Sequence, residues 1–241
     1  MKAVHLSPRL QAVADLVPRG PEEIWLADIG TDHAYLPVWL LQNQPEDRRL
    51  AHVVAADLRT GPLARARQTA REASCEEQME FRVCDGLRGL ERREAQVTVI
   101  AGMGGETMIH ILRQAPWSDW EGMALILQPM SSMPELRGWL WENGFLIREE
   151  RLAREGEALY TVLSVRAGAM APLSPAELWA GKNSDDPLRG DWLDLWIART
   201  RRAAAGMARA CREETGSRRR ELEEVLEGLI RMKKEWEQCR Q

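Results

Sequence analysis

The sequence predicts an α/β fold in which a mostly parallel β-sheet is covered by helices, ends in an antiparallel hairpin and is followed by two long helices. Up to about residue 150, short apolar runs alternate with amphipathic stretches of ~10–15 residues, which is typical of successive βα units. Two further strand-like runs are joined by a turn too short for a crossover helix, so they are expected to pair antiparallel. From residue 188 onward, apolar residues recur at helical spacing.

The individual elements follow from local signals along the chain. Ser7-Pro8 combines an N-cap with a proline at the first helical position, so a helix is expected to begin there. The hairpin strands are expected at residues 145–152 and 159–165. Five buried strands are expected before them, at residues 24–28, 52–57, 81–84, 97–101 and 123–127. Helices are expected after the first, second, fourth and fifth of these strands.

These elements divide the chain into a body of residues 1–166, a linker of residues 167–187 and a helical hairpin of residues 188–241. The linker contains three prolines and a polar run, with room for one helical turn. Each arm of the hairpin would reach ~30 Å. Residues 197–241 carry 12 basic and 8 acidic side chains, against 21 and 29 in the rest of the chain. A basic tail on an acidic body favours contact with a polyanion, although solvation of two helices explains it about as well.

Length and composition exclude several classes of protein. With 241 residues, of which 44% are hydrophobic, the chain can build a core and is not disordered in its main state. No apolar run approaches the ~20 residues of a membrane span, and the first residues lack a hydrophobic signal segment, so we expect a cytoplasmic protein without membrane contact. Neither the four cysteines nor His5, His52 and His110 show metal-ligand spacing, so we expect no metal. We expect a monomer or a weak dimer.

The loop after the first strand is the first candidate for a ligand site, because open parallel sheets bind ligands at the carboxyl ends of their strands. Residues 28–34, Asp-Ile-Gly-Thr-Asp-His-Ala, resemble a glycine-rich nucleotide loop only in part. Asp32 would repel the pyrophosphate of a dinucleotide, whereas Asp28 and Asp32 would favour the sulfonium and ammonium groups of S-adenosylmethionine. The alternative is a tight turn in which Asp32 caps the next helix.

Three further strand ends carry groups that suit the same kind of ligand. Asp57 follows the second strand, where a carboxylate can accept hydrogen bonds from both ribose hydroxyls. Asp85-Gly86 follows the third strand, where the acid could meet an adenine amino group. Gly102-Met103-Gly104-Gly105 follows the fourth strand and would let the backbone approach a ligand closely. Taken singly, each of these motifs is also explained by a tight turn at a strand end.

Together, these motifs resemble the bacterial family that methylates N1 of adenine 22 in tRNA. The segments concerned are residues 27–37, Gly61-Pro62, Asp85-Gly86-Leu87, residues 100–105 and Leu127-Gln128-Pro129, with further matches at Leu6-Ser7, Arg9-Leu10, Arg137, Trp139-Leu140, Glu157 and Tyr160. The resemblance covers residues 5 to about 165 closely and the tail only by its length and helical pattern. Two positions depart from the family: Asp57 stands where glutamate is usual, and Met130 where asparagine is usual.

The resemblance implies a Rossmann-like class I methyltransferase domain, a C-terminal coiled-coil-like helical domain, S-adenosylmethionine as cofactor and tRNA as partner, with S-adenosylhomocysteine as product. By position, the cofactor-binding residues would be Asp28, Gly30, Thr31, Asp32, His33, Asp57, Leu58, Asp85, Gly86 and Gly102. The residues expected near the reacting atoms are Asp32, Tyr35, Gly102, Met103 and Gly104. The residues expected to contact tRNA are Arg9, Arg199, Arg202, Arg209, Arg218, Arg219 and Arg220.

The expected chemistry needs no strong base, because adenine N1 carries a free lone pair at neutral pH, so alignment of the reactants would dominate catalysis. The adenine must leave its stack to enter the pocket, and Tyr35 is either a platform for it or a core side chain. One alternative is a methyltransferase for a small molecule or a protein, which would keep its activity without residues 188–241. Another is a non-catalytic RNA-binding protein that retains the fold. Asp32 disfavours a nicotinamide dehydrogenase.

Overall fold

The protein is described by a computed structural model for residues 2–18, 23–44, 49–210 and 215–240. The strands, numbered in chain order, are β1 Glu23–Ile29, β2 Arg49–Asp57, β3 Met79–Val83, β4 Val97–Gly104, β5 Ala124–Ser131, β6 Phe145–Glu155 and β7 Ala158–Ala167. The helices are α1 Pro8–Leu16, α2 Tyr35–Gln42, α3 Thr60–Glu72, α4 Gly105–Arg113, α5 Met133–Glu142, α6 Pro175–Ala180, α7 Arg189–Ala210 and α8 Thr215–Gln238, with short 3₁₀ turns at Glu76–Gln78 and Arg92–Ala95.

The seven strands form one sheet in the order β3-β2-β1-β4-β5-β7-β6. The first five strands are parallel, whereas β7 pairs antiparallel with both β5 and β6. The predicted fold, a mostly parallel sheet that ends in an antiparallel hairpin, is therefore confirmed. Several strands run further than the pattern indicated: β4 continues from Ala101 to Gly104, β5 from Leu127 to Ser131 and β6 from Leu152 to Glu155. The end of β4 is held, with register shifts, because Met103 and Gly104 pair with Pro129 and Ser131 of β5.

Helices cover both faces of the sheet because its central strands are apolar on both sides. The core on one face joins α1, α2 and α3 to the sheet, and the core on the other face joins α4 and α5 to it. The helices after β1 and β2 thus lie on one face and those after β4 and β5 on the other, and the strand order reverses between the neighbouring strands β1 and β4. Their last paired residues are Ile29 and Ile100. We call the carboxyl-end edge beyond them, where open α/β sheets bind their ligands, the crevice.

The C-terminal helices α7 and α8 lie antiparallel and pack on the body of the protein. Lys233, near the end of α8, forms an ion pair with Asp194, near the start of α7. Their shared core includes Trp192 and Leu229 and extends to Met133 of α5. The helical hairpin is therefore docked on the α5 side of the sheet, and its far end, where α7 stops and α8 starts, projects away from this contact.

Helix α6 lies inside the predicted linker and joins the helical hairpin to the body. Its last carbonyl groups are bound by two buried arginines. Arg137 of α5 donates to the carbonyl oxygens of Leu178 and Trp179 at 3.0 and 3.1 Å and forms a 2.7 Å ion pair with Glu150. Arg189 of α7 donates to the carbonyl oxygens of Ala180 and, at 2.8 Å, Gly181. Burial lowers the pKa of Arg189 to about 10. The body and the hairpin therefore share one polar, buried junction.

Candidate active site

The crevice between β1 and β4 collects the predicted cofactor residues, because the carboxyl ends of β1 to β5 all lie at this edge of the sheet. Asp28 is near the end of β1, and its main chain pairs with Ala55 of β2 and Val99 of β4. Its carboxyl is only 7% exposed, and this burial raises its pKa to about 6. The nearby Thr31 hydroxyl opposes the rise, but it is itself buried and has no hydrogen-bond partner of standard geometry among the described residues.

The turn at Gly30 is held by backbone hydrogen bonds to β2. The backbone N–H groups of Gly30 and Thr31 donate to the Ala56 carbonyl oxygen at 2.8 and 3.0 Å. Gly30 has φ +78°, and a Cβ at this position would lie 1.9 Å from the terminal methyl carbon of Met103. Only glycine meets both conditions. Met103, predicted near the reacting atoms, is thereby placed directly against the predicted cofactor loop.

Asp32 does not cap helix α2, so that alternative is wrong. The N-cap position is occupied by Ala34 in a left-handed conformation, with no side-chain capping bond. The Asp32 carboxylate is exposed and instead forms an ion pair with Arg65 of α3, accepting from its Nε at 3.1 Å. The hydrogen bond from Arg65 lowers the pKa of Asp32. This charge is therefore already balanced by the protein, which the sequence did not indicate.

His33 and Tyr35 form an exposed aromatic stack beside this loop. Their ring centroids are 5.0 Å apart and their planes differ by 5°. Tyr35 is 44% exposed, so the alternative that it is a core tyrosine is wrong. A cavity of about 350 Å³ adjoins the stack and is also lined by Lys2, His5 and Arg65. The stack thus offers an aromatic surface next to the candidate cofactor site.

The ends of β2 and β3 present a carboxylate beside exposed apolar side chains. Asp57 is mostly buried and accepts a hydrogen bond from the Arg59 backbone N–H at 2.8 Å. Leu58 follows it with 66% of its surface exposed, and Val83, which pairs with Asp57 in register, is also exposed. A carboxylate and an apolar surface at adjacent strand ends suit the ribose and the adenine of a nucleoside.

Asp85 and Gly86 lie beyond β3, where the sequence placed them. The Asp85 carboxylate is half-exposed and pairs with Arg88 at 3.3 Å. Gly86 has φ +58°, and a Cβ there would crowd Ile111 of α4 at 3.0 Å. Asp85 is therefore available at the edge of the crevice, while Gly86 is required by the turn that carries it.

Gly102 is the point at which β4 leaves regular pairing, and its N–H is bound by a side chain that the sequence analysis left without a role. Gln128 of β5 is fully buried, and its Oε1 accepts from the Gly102 N–H at 3.0 Å and from Arg9 Nη1 at 2.6 Å. Arg9, predicted to contact tRNA, thus reaches the crevice from α1. Gly104 lies two residues later in the chain, where a Cβ would be 3.0 Å from the Ser131 hydroxyl oxygen. Gln128 directly follows the strand expected at residues 123–127, and this position was the feature of the sequence that could have indicated its place in the site.

The arginines predicted to contact tRNA lie away from the crevice, except for Arg9. Those whose side chains are described and exposed are Arg199, Arg202, Arg218, Arg219 and Arg220. Arg209 belongs to α7, but its side chain lies outside the described residues. Arg219 forms a 2.7 Å ion pair with Glu223, whereas the guanidinium of Arg199 lies over the Trp196 ring. Arg218, Arg219 and Arg220 therefore lie near the start of α8, toward the far end of the helical hairpin, whereas Arg199 and Arg202 lie nearer the middle of α7.

Two further observations concern the described part of the chain only. None of its helices combines the length and the apolar character that a membrane span requires. No three of its His, Cys, Asp and Glu side chains are grouped closely enough to hold a metal ion.

Comparison with known proteins assigns this architecture to a family. Residues 6–163 match the family model described as a methyltransferase domain. The tRNA (adenine(22)-N(1))-methyltransferase of Bacillus subtilis is 33% identical over 168 residues, which are 70% of this chain and 68% of that protein. The crystal structure of the B. subtilis m1A22 tRNA methyltransferase TrmK superposes with a TM-score of 0.77 at 27% identity, covering 95% of this chain and 99% of that one.

A second solved structure covers almost the same extent. A Streptococcus pneumoniae protein in complex with S-adenosyl-L-methionine superposes with a TM-score of 0.72 at 29% identity, over 92% of this chain and all of that one. Both structural matches include the helical hairpin as well as the sheet, because they span more than nine tenths of the chain. The chain belongs to the methyltransferase-domain family and, within it, to the family of bacterial tRNA (adenine(22)-N(1))-methyltransferases.

Proposed function

We propose that the protein transfers a methyl group from S-adenosylmethionine to N1 of an adenine in tRNA, at position 22. The observation that carries this proposal is the crevice itself, in which Asp28 is buried and Asp57 and Asp85 follow the next two strand ends. A site lined by carboxylates favours a cationic cofactor and disfavours a phosphorylated one. The named activity of the B. subtilis relative supports tRNA as the substrate.

The residues at the strand ends fit S-adenosylmethionine group by group. Asp57 would accept hydrogen bonds from the ribose hydroxyls, and Leu58 and Val83 would pack against the adenine. Asp28, together with the buried Thr31 hydroxyl, would hold the cationic methionine end. The cofactor supplies an activated methyl group on a sulfonium. The contribution of the chain is to fix this group next to the Gly102–Gly104 segment.

The target adenine would be held beside the cofactor loop. We place its ring on the exposed stack of Tyr35 and His33, because stacking on aromatic side chains is worth about 1–3 kcal/mol per base. Asp32 lies beside the stack but is paired with Arg65, so it would act by shaping the loop and not as a base. Since N1 needs no deprotonation, catalysis then rests on alignment and on carbonyl dipoles near the cation that forms.

The far end of the helical hairpin would bind the tRNA backbone. In α7, residues 199–210 contain Arg199, Arg201, Arg202 and Arg209 and no acidic residue. Arg218 to Arg220 begin α8 on the neighbouring arm. Such a cluster attracts phosphates without reading the sequence, and the crevice would then select the base.

The deciding experiment is transfer of labelled methyl to unmodified tRNA with adenine or guanine at position 22. We expect 1-methyladenosine in the digested product of the adenine-22 tRNA only. Cofactor binding without any tRNA methylation would favour a different substrate, and absence of cofactor binding would favour a non-catalytic RNA-binding protein. Deleting residues 188–241 is a poor test, because Met133 and other body residues pack against α7 and α8.

Cofactor binding should strengthen as the pH rises from 5 to 7. The Asp28 carboxyl, with its pKa raised to about 6 by burial, must lose its proton to hold a cation. Affinity is therefore expected to rise about tenfold across this interval and to level off above it. Isothermal titration at several pH values measures this change. Asp28→Asn is the matched control and should abolish the tenfold rise; a rise that survives in this variant would assign the titration to another group.

The same shift has a consequence for the stability of the free protein. Because the pKa of Asp28 is higher in the folded state than its ordinary value of ~3.9, folding favours the protonated form. The stability that this group contributes is therefore lost as the pH rises from about 4 to 6, and it stays lost at higher pH. Without cofactor, Asp28→Asn should raise the melting temperature at pH 7, because the wild type loses stability by holding a buried charge in the crevice.

A further inference from the structure

The Gln128 side chain is completely buried, and its whole hydrogen-bonding capacity is used at the edge of the crevice. Its Oε1 accepts from Arg9 Nη1 at 2.6 Å and from the Gly102 N–H at 3.0 Å. Its amide nitrogen donates to the Pro129 carbonyl oxygen at 3.0 Å and lies 3.5 Å from Met130 Sδ. Two donors meet the oxygen and an acceptor meets the nitrogen, so the amide has one orientation. Gln128 cannot touch a substrate, but it touches the segments on both sides of the reaction site.

The bond to Gly102 decides how one peptide group is turned. Gly102 has φ +78° and lies beyond the last β1–β4 pair, at a register shift of β4. Its N–H points toward β5, where Gln128 accepts it. The described peptide bonds are trans, so the Ala101 carbonyl oxygen of the same peptide points away from Gln128, and β1 is the neighbour of β4 on the side opposite β5. Irregularities of this kind commonly re-aim groups next to active sites.

Arg9 is held so that it can support Gln128 without adding an unbalanced charge. Its Nε lies 3.7 Å from Glu155 Oε2, which also accepts from the Ser7 hydroxyl at 2.9 Å. Its guanidinium lies over the Tyr160 ring, 5.6 Å from the ring centroid. Helix α1 and the β6–β7 turn thus meet at Arg9, and Nη1 lies 3.7 Å from the place of a Gly102 Cβ.

We propose that Arg9 and Gln128 are positioning residues for methyl transfer, which fix the Ala101–Gly102 peptide with its carbonyl oxygen toward the reacting atoms. This inference rests on the proposed function. In the transfer, the C–N1 bond forms as the C–S bond breaks, sulfur keeps the bonding pair, and the positive charge passes to the adenine. A carbonyl dipole that is already oriented toward this charge needs no reorganisation during the step. The pair therefore acts on the rate of transfer and not on the binding of either substrate.

The test compares Gln128→Leu, Gln128→Glu and Arg9→Gln in steady-state assays with unmodified tRNA. Leucine leaves the Gly102 N–H and Arg9 without an acceptor, whereas glutamate keeps an acceptor for both. For Gln128→Leu and Arg9→Gln we expect kcat to fall about tenfold or more, with the cofactor Kd and the tRNA KM changed less than about threefold. Gln128→Glu should recover most of the rate. Arg148→Gln, at an exposed position of β6, is the control for loss of an arginine.

Other outcomes overturn the inference in distinguishable ways. An unchanged kcat in Gln128→Leu and Arg9→Gln would refute the positioning role. A raised tRNA KM in Arg9→Gln with intact kcat, and a salt slope of tRNA binding lowered by about one, would make Arg9 a phosphate contact. Glutamate no better than leucine would assign the effect to packing or to the lost bond to the Pro129 carbonyl, and not to the acceptor for Gly102 and Arg9. If Gln128→Leu does not fold, the Arg9→Gln variant still decides, because the Arg9 side chain is 22% exposed and not part of the buried core. A wild type that binds the cofactor but methylates no tRNA would refute the proposed function itself, and this inference with it.

Discussion

Replacing Asp57 by alanine is expected to weaken S-adenosylmethionine binding about 100-fold and to leave the protein folded. Hydrogen bonds to a charged group contribute about 1.5–3 kcal/mol, and a ribose offers this carboxylate two hydroxyl donors. The structural cost is small, because within the described residues Asp57 gives up only its bond from the Arg59 N–H and a 3.8 Å contact with its guanidinium. Titration calorimetry measures the affinity, and the melting temperature reports on folding.

Asp57→Glu is the matched control for this experiment. It keeps the carboxylate, so it should bind the cofactor within a few-fold of the wild type. An alanine variant that binds as tightly as the wild type would remove Asp57 from the cofactor site. In a non-catalytic protein of this fold, the alanine substitution would also have no effect. That case is distinguished because the wild type would show no cofactor binding either.

Reversing the charges of Arg218, Arg219 and Arg220 to glutamate is expected to weaken tRNA binding roughly 100-fold near physiological salt. All three side chains are exposed at the start of α8, so the fold should tolerate the change. If each arginine neutralises one phosphate, the slope of log affinity against log salt should flatten by roughly two to three. Filter binding or fluorescence anisotropy at several salt concentrations measures both quantities.

The control for this charge reversal lies on the same helix. Arg231 and Lys234 are exposed near the docked end of α8, and reversing both should change tRNA affinity by only a few-fold. The 2.7 Å pair of Arg219 with Glu223 is consistent with a merely solvated helix, in which case the triple variant would bind normally. A salt slope that does not change would show that these arginines do not contact phosphates.

The fold could be predicted because its signals are local. Strands β1, β2, β4 and β5 contain apolar runs, and the turns after β1, β2 and β4 carry glycine or aspartate. Helix α6 was readable as well, since Ser174-Pro175-Ala176-Glu177 forms a capping box with a proline in the first turn. The extension of β4 to Gly104 was not readable, because glycine favours no strand and this segment is held by pairing with β5.

The candidate site was predictable in its position but not in its internal contacts. Strand ends must meet at one edge of a parallel sheet, so Asp28, Asp57 and Asp85 could be placed together. The ion pair of Asp32 with Arg65 spans 33 residues, and the bond of Arg9 to Gln128 spans 119 residues. Contacts between residues so far apart in the chain leave no periodicity to detect, so they depend on the final packing of the helices against the sheet.

If the helical hairpin binds tRNA as proposed, the buried junction at α6 limits which RNAs the protein can accept. Arg137 and Arg189 are buried and each binds backbone carbonyls at the end of α6, so the hairpin cannot swing about α6 without leaving charges and carbonyls unpaired. The distance from the far end of the helical hairpin to the crevice is then nearly constant. An RNA would qualify only if its backbone and its target adenine are separated by that length, so a folded tRNA would be accepted by its shape, whatever sequence lies between.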